Sequence, residues 1–131
     1  MDSRSILLSI RPSITSIQLD QPMTEVEMFQ NKTLRPILKF QNTLLIQVYA
    51  QYIEKHKSIY FQLTILKREE FIRESFQKDT LLKNMYLGIV MGHFTEEEYS
   101  HFFEHEKELK KRVNDMLIQR MQDQVSKFES N

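Results

Sequence analysis

Glu98, His101, His105 and Glu108 are the residues whose types and spacing can do chemistry. They follow the spacing E-x2-H-x3-H-x2-E. At about 100° per residue, all four fall on one flank of a helix. Histidines at i and i+4 can share one ion, and neutral imidazole nitrogen with carboxylate oxygen suits zinc or iron. A second set of residues concerns association rather than catalysis. Glu106, Val113 and Arg120 are spaced by sevens, so the two charges sit about 20° either side of Val113. They flank it on an apolar stripe made of Tyr99, Phe102, Leu109, Met116, Leu117 and Phe128, with Phe103 and Met121 beside it. Glu106 and Arg120 stand about 21 Å apart, too far to pair within one helix. An antiparallel copy crossing at Val113 would set each Glu106 opposite an Arg120, the symmetry of an isologous dimer. A charge on a buried seam needs such a partner, unless its side chain reaches water or pairs with another helix of its own chain.

Two motifs overlap the His/Glu flank. His101-Phe102-Phe103-Glu104-His105 matches H-x-x-E-H, the inverted zinc-protease signature, with Glu104 as the base. Glu98-Tyr99-Ser100-His101 matches one E-x-x-H of the di-iron four-helix bundles. Both matches are partial. Glu104 lies well off the bisector of the two histidines, and no second E-x-x-H is present. Hemerythrin-like bundles share H-x-x-x-H, but their H-x-x-x-E is missing. Glutamates in a first helical turn are favoured by the helix dipole alone. The flank therefore reads as solvated, with a metal held by Glu98, His101, His105 and Glu108 as the alternative. His56 and His93 stand near helix ends, where they read as capping residues.

Other chemistries lack their residues. There is no cysteine, hence no disulfide and no thiolate nucleophile. No phosphate-binding glycine loop and no G-x-S-x-G occurs. The chain carries 18 basic and 18 acidic residues, for zero formal charge. It has no net field to attract phosphate backbones, so no nucleic-acid partner is expected. The basic run Lys107, Lys110, Lys111, Arg112 follows a run of glutamates and reads as a solvated face. The most apolar run, Met85 to Met91, is far shorter than the roughly 20 residues a bilayer requires, so no membrane span is expected.

The elements that position these residues read as helices. With 131 residues, only two glycines and three prolines, the chain suits one domain of uninterrupted helices. Residues 1–22 form an extended N-terminal arm in which Ile6, Leu8 and Ile10 alternate with Ser5 and Ser9, the apolar run is broken by Ser9 and Arg11, and the apolar residues would lie over the helices or a partner chain. Residues 23–131 form the helical domain. Thr24-Glu25-Val26-Glu27 is a capping box opening a short helix. Thr33 is a candidate cap that puts Pro36 in the first turn of a helix running to about His56. Residues 58–63 read as a turn. Thr64 caps a helix over 65–78, and Asp79 caps one over 80–91. The latter is apolar nearly all round, so it is expected at the centre of the core. Its Gly88 and Gly92, spaced as GxxxG, suggest close approach of a neighbour. Thr95 and Glu98 form a second capping box that opens one long helix reaching Phe128.

The frame from Phe29-Gln30-Asn31-Lys32-Thr33-Leu34-Arg35-Pro36-Ile37-Leu38-Lys39 to Gly92-His93-Phe94-Thr95-Glu96-Glu97-Glu98-Tyr99 resembles a small family of uncharacterised all-helical bacterial proteins. Some members carry a glyoxalase label. The resemblance covers most of the chain and implies a bacterial source and a helical fold. It implies no catalytic residue, because the strand-borne ligands of one glyoxalase type and the H-x-H-x-D-H of the other are absent.

The expected fold is all-α: a bundle of four main helices, a short leading helix and the N-terminal arm. The expected function is a non-enzymatic interaction or structural module in the cytoplasm. It would need no cofactor and would self-associate as a homodimer through the last helix at Glu106, Val113 and Arg120. The alternative is a metal-binding protein or metal-dependent enzyme on the His101/His105 flank.

Overall fold

The computed structural model describes residues 3–14 and 22–128. They fold as helices joined by short turns, with no strand among them. A single turn of 3-10 helix, Ser3–Ser5, runs into α1 (Ile6–Ser9). Then come α2 (Glu25–Phe29), α3 (Arg35–Lys55), α4 (Lys57–Tyr60), α5 (Ile65–Lys78), α6 (Thr80–Met91), α7 (Glu96–Glu104) and α8 (Glu106–Asp123), closed by a 3-10 turn at Val125–Phe128. More segments are present than the four main helices and one leader expected. No helix among the described residues is long and apolar enough to cross a membrane.

The predicted caps fix the helix starts. Thr24 Oγ1 accepts from the Glu27 amide at 3.1 Å while Glu27 reaches back to the Thr24 amide. Thr64 Oγ1 accepts from the Lys67 amide, and Asp79 Oδ1 from the Leu82 amide at 3.1 Å. The Leu82 amide is the chief reason Asp79 is held below the usual carboxylate range.

Thr33 does not start a new helix. Gln30–Leu34 instead form a π-helical turn that joins α2 to α3 without a break, and the Arg35 amide donates to Gln30 O, five residues back. The wider turn relieves the clash between the Pro36 ring and the preceding carbonyls, which an α-turn would not. The long last helix is also interrupted. His105 leaves helical geometry (φ −123°, ψ 36°), ends α7 and begins α8. The predicted turn over 58–63 contains the end of α4, where Tyr60 is buried beneath the Arg68 guanidinium, 5.0 Å from its ring centre.

In the core, α5 packs on α8 and α6, and α6 also packs on α3 and α8. Leu109, Val113, Leu117 and Met121 recur every four residues along α8 and are all buried. Tyr49 stacks on Phe76 at 5.6 Å, and its hydroxyl meets Ser75 Oγ at 2.7 Å. Tyr86 donates to Leu45 O at 2.6 Å. These two phenols have partners, as a dry core demands, whereas the buried Tyr60 hydroxyl has none among the described residues.

The α6 helix is not central. Leu82, Tyr86 and Val90 are buried, one every four residues. The opposite side is open: Leu81 is 82% exposed and Met85 53%. A Cβ added at Gly88 would meet nothing within 4 Å, so no neighbour among the described residues approaches there. At Gly92, the residue that caps the end of α6, a Cβ would meet only the helix's own carbonyls.

Candidate functional site

The first turn of α7 is built by its capping box and fastened by the N-terminal arm. Thr95 Oγ1 accepts from the Glu98 amide, and Glu98 Oε1 accepts from the Thr95 amide at 2.9 Å. Arg11 then forks onto both Glu98 oxygens at 2.5 and 2.6 Å and donates to His93 O. Arg4 donates to Gly92 O and Phe94 O. Two arginines of the arm thus donate to the carbonyls of the turn between α6 and α7 and pair with the carboxylate that starts α7. Ile6, Leu8 and Ile10 do not cover the helices as the sequence suggested; all three are exposed. The part of the predicted arm at 15–21 lies outside the described residues.

Burial would raise the Glu98 pKa, but the Arg11 guanidinium and the Thr95 amide overcome it and hold the carboxyl below its usual range. His93 is buried beside Phe40, with rings 4.8 Å apart, and its Nδ1 accepts from Arg11 Nε at 3.4 Å. Its Nε2 has no partner among the described residues. Burial first, and the Arg11 charge second, push His93 below the ordinary imidazole range. His93 is therefore a neutral core residue rather than a cap.

The four residues of the flank are not gathered into one cluster. Glu98 is committed to Arg11, and Glu108 pairs with Arg112 one turn on. His101 and His105 remain neighbours, with ring centres 5.5 Å apart. Their third neighbour is Glu25, from the first turn of α2. Glu25 Oε2 lies 3.1 Å from His105 Nε2, and one ligand atom from each of Glu25, His101 and His105 falls within 4.8 Å of the others. His101 is seated by stacking on Phe29, 5.3 Å away and 14° from parallel. A groove of about 360 Å³ runs beside the cluster, bordered by Glu25, His101, Met28, Phe29 and Lys32. No local spacing pointed to Glu25, because it is 80 residues from His105. Arg11 left only the trace of a charge that breaks the apolar run of the arm.

The three association residues share α8, and each is engaged within the chain. Val113 is 2% exposed and packs within the chain's own core. Glu106 accepts from Lys110 Nζ at 2.6 Å, and Arg120 donates to Asn42 Oδ1 at 3.2 Å. Burial and the nearby Arg35 hold Arg120 below its usual range. A copy crossing at Val113 would have to displace helices already packed there.

The open apolar surface lies elsewhere. A groove of about 340 Å³ between α3 and α6 is bordered by Leu44, Val48, Tyr52, Leu82 and Met85, with Lys55 as its one charged residue. Leu81 stands at the rim of the adjoining hollow, which shares Tyr52. The chain was compared with protein-family models, curated proteins and solved structures, and none matches it.

Proposed function

We propose that this chain is a non-enzymatic interaction module that pairs with a second copy of itself through the outward face of α3 and α6. The observation that carries the reading is the exposed apolar side of α6. Isolated exposed apolar residues are ordinary, but a contiguous apolar surface marks an interaction site. Here Leu81 and Met85 project from the surface, while Leu44, Val48, Leu82 and Met85 border a groove in it. Projection and groove on one surface are what an isologous pair requires, since each copy must supply what the other receives. Gly88, on the same side and open to solvent, lets a second helix approach closely. This face replaces the α8 seam in the proposal, because Val113 is engaged inside the chain.

The test is the molar mass of the full chain by light scattering across a concentration series. The wild type should reach twice the chain mass, and Leu81→Asp with Met85→Asp should stay at the chain mass. Both sites are exposed, so the double variant should fold. Charge reversal at Glu106 should leave the dimer intact; dissociation in Glu106→Arg would move the interface back to α8. A metal-dependent function is the second reading, favoured by the approach of Glu25 to His105.

A further inference from the structure

Three potential ligands converge from two places in the chain. Glu25 follows the cap of α2, His101 lies in α7, and His105 is the residue at which α7 and α8 part. A hydrogen bond joins His105 to Glu25, and the helical spacing with the Phe29 stack sets His101 beside the pair. A tetrahedral ion with bonds of about 2.0–2.1 Å holds its ligand atoms about 3.4 Å apart. His105 Nε2 and Glu25 Oε2, at 3.1 Å, already have that spacing. The remaining ligand atom lies within 4.8 Å of them, and a bound ion would draw it in by side-chain rotation.

We infer that Glu25, His101 and His105 form a site for one divalent transition-metal ion, zinc being favoured. Two imidazoles and one carboxylate suit a borderline ion better than magnesium or calcium, which prefer all-oxygen shells. Three protein ligands leave a fourth position for water or a small oxygen donor. The adjoining groove shares Glu25 and His101 with the site. The ion would also tie α2 to the junction of α7 and α8, so its binding stabilises the folded chain. The site does not depend on the α3–α6 face.

The test is titration of the metal-free full chain with zinc, followed by calorimetry, and with cobalt, followed by its visible spectrum. One ion per chain is expected, with the intense absorption of four-coordinate cobalt and a rise in Tm on adding zinc. His101→Ala, His105→Ala and Glu25→Gln should each weaken binding by at least about tenfold, the lower end of what losing even an outer-shell partner costs. Glu108→Gln should bind as the wild type does. Glu25 is 73% exposed, so its variant keeps the test decisive even where a histidine variant misfolds. Failure of the wild type to take up either ion would overturn the assignment, as would uptake that Glu25→Gln leaves unchanged.

Discussion

At Glu98 one carboxylate closes a capping box and receives the fork of Arg11. Hydrogen bonds to charged groups contribute about 1.5–3 kcal/mol each way of removal, so Glu98→Gln and Arg11→Ala should each destabilise the chain by about that much. The two losses overlap, and the double variant should cost much less than their sum. Urea denaturation of the four proteins measures the coupling; additive losses would show that the arm does not depend on Glu98. Half of this arrangement is visible in the chain. Thr95 and Glu98 are three apart, and a capping box is a local pattern. Arg11 is 87 residues from Glu98, and no periodicity links them. The same limit applies to the metal cluster. His101 and His105 share a helical spacing, whereas Glu25 joins them only through the packing of α2.

Along the elements, the legible features were those that a few neighbouring residues determine. Helices α5 and α6 begin and end where Thr64 and Asp79 predicted, because a cap acts within one turn. The π-turn at Gln30–Leu34 and the break at His105 were not legible. Thr33 looks like a cap, and nothing in the 94–128 pattern interrupts its apolar stripe. The break leaves Phe102 buried while Tyr99 and Phe103 are exposed. An all-round apolar pattern implies a buried helix, yet α6 shows an apolar side to solvent. Gly88 lies on that side in mid-helix with open space around it. Gly88→Ala should therefore stabilise the monomer by about 0.5–1 kcal/mol, the helix preference of alanine over glycine. Thermal denaturation at low protein concentration checks the sign; a lower Tm would mean that Gly88 packs closely after all.

For the whole molecule, stability should fall on acidification in two stages. His93 has a folded pKa below its ordinary 6.5. The unfolded chain therefore takes up that proton first, and stability is lost as the pH drops below about 6.5. Glu98 is likewise depressed below 4.5, so its contribution is present above that value and lost as the pH falls through the folded pKa. Urea midpoints measured from neutral to acid pH should decline through both ranges, and His93→Gln should flatten the upper one. An unchanged upper range in the variant would assign that decline to another group.

Pairing through the α3–α6 face is read from the molar mass of the full chain in solution. Light scattering at high protein concentration should give twice the chain mass for the wild type and the chain mass for Leu81→Asp/Met85→Asp. A wild type that remains at the chain mass, or a double variant that still pairs, would contradict it.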